Sequence, residues 1–325
     1  MADLSPQKKV AVVLFNLGGP DSLKAVKPFL FNLFYDPAII ALGNPLRWLA
    51  AKYLSGKRAA VAREIYSKIG GKSPLLELSQ DQATALEHSL NEGPETEFKC
   101  FVTMRYWHPF SKDVVKKVRD FNPDQIILLP LYPHYSITTV GSSLIDWDRR
   151  AKQAGLTMPF RVVRDYPVAD GFIEAHVSLL QDILKKIDRP EDYRILYSAH
   201  GLPEKIIAAG DPYRQQIERS CQAIQERLSH PDHVICFQSR VGPLKWIEPF
   251  TDDEINRAGT EGKSLIVVPI SFVSEHSETL VELDMDYKDL AEEAGVKDYI
   301  RVAAIGCHDS YISALAKLTR EVSHD

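Results

Sequence analysis

No apolar run in this 325-residue chain approaches the roughly 20 residues needed to cross a bilayer, so no spanning helix is expected. Its start, MADLSPQKK, has no hydrophobic signal core and none of the Arg-rich character of a transit peptide, so a cytoplasmic location is expected. Basic residues are not in excess: 39 Lys and Arg against 44 Asp and Glu leave a net charge of −5. That balance argues against a nucleic-acid-binding face. Cysteines are few and scattered (Cys100, Cys221, Cys236 and Cys307), with no CxxC pair among them. Reduced, mostly buried thiols are therefore expected, with neither a disulfide framework nor an iron–sulfur cluster. There is no HExxH pair for a metallohydrolase and no nucleotide fingerprint, and no Pro/Ser-rich linker divides the chain.

What is present is a parallel α/β pattern. Short β-branched runs at 10–15, 100–104, 126–131, 161–165, 195–199, 234–239, 265–271 and 300–305 alternate with longer helical stretches, four runs in each half. The length exceeds that of one ordinary hydrophobic core, which also favours two lobes. The halves resemble one another where their strands end. The first strand runs into FNLGGP in one half and YSAHGLP in the other; the second ends at TMR or QSR; the third holds IILLP or LIVVP. Arg105 to Pro130 is 25 positions and Arg240 to Pro269 is 29, so these units match. Pro20 to Arg105 is 85 positions against 37 from Pro203 to Arg240, so the first half carries 85 − 37 = 48 additional residues. The reading is a duplicated doubly wound lobe with an insertion at about 25–70. Its boundaries are 1–158 plus 306–325 for the N-terminal lobe, whose final helical pattern at 308–322 packs back on it, and 159–305 for the C-terminal lobe.

Parallel sheets bind ligands beyond the carboxyl ends of their strands, so those ends are where chemistry is sought. His200 directly follows the apolar run ILYSA; a histidine there is either a structural residue or a general base. Glu278 and Glu282, four apart in HSETLVELD, share one face of the helix expected there. They are either solvated surface or a pair of carboxylates opening on a cleft. Residues 26–58 hold Phe29, Phe31, Phe34, Ile39, Ile40, Leu46, Trp48 and Leu49, with Arg47, Lys52, Lys57 and Arg58 nearby. They read either as two amphipathic helices packed on the lobe or as an apolar lip over a flat ligand, in contact with a membrane surface.

The strand ends resemble those of ferrochelatases. NLGGP at 16–20, IGGKSP at 69–74, RYWHP at 105–109 and LPLYPHYSITTVGSS at 129–143 are similar to that family's segments. So are SAHGLP at 198–203, SRVGPLKW at 239–246 and FVSEHSETLVELD at 272–284, all in the family's order. The resemblance implies a chelatase fold of two Rossmann-like lobes, each a four-stranded parallel sheet flanked by helices, with a porphyrin cleft between them. It implies a lyase that inserts ferrous iron into protoporphyrin IX, the terminal step of haem biosynthesis. Coproporphyrin with iron, or sirohydrochlorin with cobalt, are the alternatives within the fold, and a non-catalytic haem- or metal-binding protein is the alternative outside it. Fe2+ enters as substrate, and no permanently bound cofactor is implied.

Metalation must remove two pyrrole protons and deliver a cation stripped of water. By resemblance, His200 and Glu278 form the catalytic and metal-binding pair, with His276 and Glu282 behind them. Ferrous iron accepts imidazole nitrogen and carboxylate oxygen, so the pair is a sensible transient ligand set. Leu17, Tyr132 and Trp246 are the candidate porphyrin walls; Arg58, Tyr66 and Ser73 match the positions that hold the propionates, and Arg105 lines the cleft. A guanidinium suits a propionate because it offers two parallel hydrogen bonds. Ser136, Thr138, Thr139, Ser142 and Ser143 form a hydroxyl-rich turn that either binds anions or caps a helix, and Ser142 and Ser143 are read as N-cap residues.

Overall fold

The computed structural model describes residues 7–93 and 96–324; the opening residues 1–6 lie outside it. In chain order the elements of the first half are β1 (Lys8–Asn16), α1 (Val26–Phe34), α2 (Leu46–Lys68), α3 (Leu75–Leu90), β2 (Thr96–Met104), α4 (Ser111–Phe121), β3 (Gln125–Pro130), π1 (Ile137–Gly141), α5 (Ser142–Gln153), β4 (Phe160–Val162) and α6 (Asp170–Leu184). The second half comprises β5 (Tyr193–His200), α7 (Glu204–Ala208), α8 (Tyr213–Leu228), β6 (His233–Gln238), α9 (Thr251–Thr260), β7 (Ser264–Pro269), π2 (Glu278–Asp286), α10 (Tyr287–Glu293), β8 (Tyr299–Arg301) and α11 (Asp309–His324). Two four-stranded sheets result, ordered β2-β1-β3-β4 and β6-β5-β7-β8, and every strand pair is parallel. Each expected strand is present. β4 pairs with β3, so the first sheet runs past the boundary expected at 158.

Alternation along the strands builds the layers. Val10, Val12 and Leu14 face one core, while Ala11, Val13 and Phe15 face a second with Val114, Val118 and Trp147. In the second lobe Ile195, Tyr197 and Ala199 join the same core as Val10, Val12 and Leu14, so the two lobes share one apolar centre. Leu196, Leu265 and Val267 turn the other way, onto α9, α10 and π2.

The repeat is closer than the sequence spacing suggests. Phe15 is in register with Pro130, and Ser198 with Pro269, which makes Phe15 and Ser198 equivalent. Counting two residues on, Leu17 and His200 are equivalent as well. Helices α3 and α8, the crossovers, are both 16 residues long. After the second strand of each lobe, Met104 N donates to Pro109 O and Phe237 N to Pro249 O. That pairing corrects one expectation: Arg105 is the equivalent of Gln238, not of Arg240, because the loop after β6 lengthens before Arg240. The last helices are exchanged between lobes: α6, after the first sheet, packs on α8, whereas α11, after the second, packs on α3, β3 and β4. The inserted residues form α1 and α2.

Two buried histidines at the shared core make the fold sensitive to acid. His176 on α6 is fully buried, and neither ring nitrogen has a hydrogen-bond partner among the described residues. Burial, reinforced by His308, lowers its pKa from 6.5 to about 3; burial and His176 do the same for His134. Between those values the unfolded chain binds protons that the folded chain refuses, so stability is intact above pH 6.5 and falls as pH drops below it. One such histidine is worth about 1.4 kcal/mol per pH unit. His176→Leu is therefore expected to lose about 2 kcal/mol less than the parent between pH 7 and 5, read from urea midpoints and slopes. An unchanged pH dependence would contradict this role.

Candidate active site

His200 closes β5 at the carboxyl edge of the second sheet, opposite Gln238 of β6. Its backbone N donates to Ser271 Oγ at 3.1 Å, and its Nδ1 lies 2.9 Å from Glu278 Oε2. A carboxylate can only accept, so Nδ1 carries the proton in this contact. Nε2 is then the nitrogen left to take a proton or a cation, with no hydrogen-bond partner among the described residues. The imidazole is 37% exposed and the Glu278 side chain 26%, so both remain open to an incoming ligand.

Glu278 begins π2, not the α-helix expected for HSETLVELD; the wider i→i+5 winding replaces the 3.6-residue period. Both carboxylates nevertheless reach one residue, Ser239. Its Oγ, with one proton to give, lies within hydrogen-bond reach of both Glu278 Oε2 (3.2 Å) and Glu282 Oε2, and its backbone N donates to Glu282 Oε1 at 2.9 Å. Ser239 holds a left-handed φ of +64°, which aims N–H and hydroxyl at the pair. Gln238 Nε2 (3.3 Å) and Tyr287 OH (3.1 Å) also donate to Glu282. Ser239, Gln238 and Tyr287 were not among the expected site residues. Ser239 opens SRVGPLKW, but nothing in that string shows that it bonds residues 278 and 282.

The surroundings push neighbouring groups apart. Burial acts to lower the His200 pKa, but the charge and hydrogen bond of Glu278, with Glu282 behind, outweigh it and raise the value. Burial acts to raise Glu278, and the paired imidazole overcomes it, holding this carboxyl well below the usual range. Glu282 is raised by burial and by the charge of Glu278. His276, buried with its ring 4.5 Å from Phe272, is lowered by burial despite Glu278 and Glu275. One imidazole and one carboxylate are thus biased towards charge, and a second of each towards neutrality. That is the arrangement from which acid and base roles are drawn.

Leu17 sits, half-buried, where the first lobe has its equivalent of His200, packed with Val26, Phe29, Leu30, Tyr66 and Tyr106. Tyr66 is buried near the end of α2; its OH accepts from Ser277 Oγ at 3.4 Å, beside Glu278, and burial pushes the phenol up to about 12. Trp246 is half-buried and donates from Nε1 to Val241 O at 3.2 Å. Its ring lies over Gly201, next to His200, where a Cβ would stand 3.3 Å from it. Ser73 is buried under Gly19 and accepts from Leu75 N at 3.3 Å.

Three expected residues are placed elsewhere or otherwise engaged. Arg105 donates from Nη2 to Asp36 (2.8 Å) and from Nε to Ser142 (2.7 Å). Asp36 also accepts from Tyr106 OH at 2.8 Å, from Ala38 N at 2.8 Å and from Ser142 Oγ. That network ties the inserted segment to the first lobe, so the Arg105 guanidinium is taken up by an internal carboxylate. It also corrects the reading of Ser142 as an N-cap: the side chain capping this turn is Ser136, which accepts from Thr138 N. Tyr132 packs among Phe15 and Trp147, with its hydroxyl buried and unpartnered. Arg58 is exposed on α2, and among the described residues no ion pair engages it. Arg240 pairs with Asp252 at 2.6 Å over the Phe250 ring, a structural place.

Among the described residues no three His, Cys, Asp or Glu side chains converge as a metal cage. A groove of about 440 Å³ between α3, β2 and α4 shares no residue with the His200 set, and its Cys100 thiol is pushed up by burial, away from nucleophilic use.

Comparison with known proteins identifies the family. A family model described as ferrochelatase matches residues 9–323. The ferrochelatase of Caulobacter vibrioides is 50% identical over 316 residues, covering 97% of this chain and 90% of that protein. That of Wolbachia from Drosophila simulans is 50% identical over 315 residues, covering 95% and 98%. Among solved structures, the sirohydrochlorin chelatase SirB of Bacillus subtilis subspecies spizizenii, in complex with cobalt, superimposes with a TM-score of 0.57 at 11% identity, covering 98% of this chain and 96% of that one. CbiX, the terminal enzyme of sirohaem biosynthesis in denitrifying bacteria, gives 0.51 at 12% identity, covering 97% and 99%. The structures share the fold, and the sequences decide the family within it: this chain belongs to the ferrochelatase family.

Proposed function

We propose that the protein inserts ferrous iron into protoporphyrin IX at His200 and Glu278. The observation that carries the reading is the 2.9 Å contact from His200 Nδ1 to Glu278, which leaves Nε2 as the free base. Metalation exchanges two pyrrole protons for one Fe2+. His200 Nε2 takes a proton, and the imidazolium so formed is stabilised by the carboxylate behind it. Glu278, held ionised, offers an oxygen to the cation as it sheds water. Glu282, whose proton affinity is raised, is placed to take the second proton through Ser239. Leu17 and Trp246 supply apolar walls on either lobe, and Tyr66 and Ser73 the propionate side. The first lobe's insertion, α1 and α2, has no equivalent among the described residues of the second lobe, which gives the cleft one built-up side.

His200→Ala and Glu278→Gln are each expected to lower turnover about 100- to 10,000-fold, with porphyrin affinity by fluorescence quenching little changed. Turnover needs Nε2 unprotonated, so the rate rises as pH passes the raised His200 pKa. Glu278→Gln removes the cause of that rise and moves the acid limb of the profile to lower pH. Anaerobic assays that offer protoporphyrin and coproporphyrin side by side identify the preferred macrocycle. Normal turnover in His200→Ala would sink the assignment.

The insertion also supports contact with a membrane surface. Phe29 is packed into the lobe, whereas Leu42, Leu46, Trp48, Leu49 and Tyr53 are exposed, with Lys52 Nζ 4.8 Å above the Trp48 ring. Among the described residues no helix is long and apolar enough to cross a membrane. An exposed apolar patch with a cation against its tryptophan suits an interface. Trp48→Asp with Leu49→Asp should reduce sedimentation with anionic liposomes severalfold and leave the melting temperature nearly unchanged. Equal sedimentation of parent and variant would remove this role.

A further inference from the structure

Each lobe is gripped by the other's crossover helix. From the second lobe, Gln216 Oε1 accepts from Tyr135 N at 2.7 Å, and Ser220 Oγ meets His134 Nε2 at 2.8 Å. Asp211, just before α8, accepts from Ile137 N at 2.8 Å and from Ser136 Oγ at 3.1 Å, at the start of π1. From the first lobe, α3 returns the hold through one residue. Gln82, fully buried, donates from Nε2 to Val273 O at 3.1 Å and to Gly306 O at 2.9 Å; its Oε1 accepts from Ser274 Oγ at 3.0 Å. Both amide protons and the carbonyl are used, on two strand-end segments of the opposite lobe.

What Gln82 holds is the approach to π2. Ser274, itself buried, lies four residues before Glu278, and in between Glu275 is pinned by Arg301 and by Ala304 N at 2.8 Å. Gly306 begins the chain's return to the first lobe as α11. The segment that presents Glu278 to His200 is therefore fixed from the first lobe at one end and from Ser239 at the other. We propose that Gln82 is a positioning residue for metal insertion, an interlobe latch that sets where Glu278 stands relative to His200. Gln82 touches neither substrate. Its effect passes through Val273 and Ser274, and it rests on the reading that Glu278 receives the metal.

Gln82→Met keeps the volume and removes all three hydrogen bonds; Val273 O keeps Gly306 N as a donor, while Gly306 O and the Ser274 hydroxyl lose their Gln82 partner. In the full-length protein, amide hydrogen exchange across 272–282 should accelerate about tenfold, while β1 and β3 are unaffected. With Zn2+ and protoporphyrin, the apparent KM for metal should rise about tenfold and that for porphyrin stay within about twofold. Ser274→Ala cuts one of the three bonds and should move both readouts the same way by less, which keeps the test open should Gln82→Met not fold. A merely structural glutamine would lower the melting temperature without separating the two KM values. Unchanged exchange at 272–282 and an unchanged metal KM in the folded variant would overturn the latch. Exchange needs no turnover, so it judges the latch even if metalation itself is not found.

Discussion

The contact between His200 and Glu278 is the constraint on which the other features of the site converge. The two residues come from different parts of the second lobe, one ending β5 and one opening π2. Both charges are partly buried, and each would shift towards its neutral form if left alone; each reverses the other's shift. The pair thus needs close placement, and three supports provide it: the parallel register that ends β5 beside Gln238, the left-handed Ser239 that bonds both carboxylates, and the π-winding that brings Glu278 and Glu282 to that serine. No closed set of donors surrounds the site among the described residues. If this pair receives the metal, as proposed, two donors suit its release into a macrocycle better than four would.

Duplication supplied the frame, and divergence between the copies supplied the chemistry. The same register position holds Leu17 in one lobe and His200 in the other. The same post-strand segment becomes π1, rich in hydroxyls, in one lobe, and π2, rich in carboxylates, in the other. One face of a flat ligand would meet hydrocarbon and the other a base with a cation-binding carboxylate. The shared core and the exchanged helices α6 and α11 make this opposition durable, since neither lobe can move without disturbing the other's packing.

Much of this was legible in the chain. The eight strands announced themselves as β-branched runs; the central ones, β1, β3, β5 and β7, are almost wholly buried and therefore nearly continuous in apolar residues. The insertion emerged from unequal spacing between equivalent motifs. His200 and Glu278 were marked by the strings around them, although not by their own residue types. What stayed hidden depends on distances between remote residues. HSETLVELD reads equally well as an α-helix, and the π-winding is a tertiary outcome. Arg105 looked available because its partner, Asp36, lies 69 residues away in the insertion. Ser239 carries the two carboxylates through a backbone conformation that a serine codon does not advertise. The equivalence of Arg105 with Arg240 failed because Arg105 directly follows β2, whereas Arg240 lies two residues beyond the matching position, Gln238.

If His200 and Glu278 act as one unit, removing the second after the first should cost little. Turnover of His200→Ala, Glu278→Gln and the double variant, measured anaerobically with ferrous iron and protoporphyrin, forms a cycle that reads this coupling directly. The account predicts that the double variant is no more than about threefold slower than the slower single variant. Losses that multiply, each substitution lowering the rate by the same factor whether or not the other is present, would show two independent residues and contradict it.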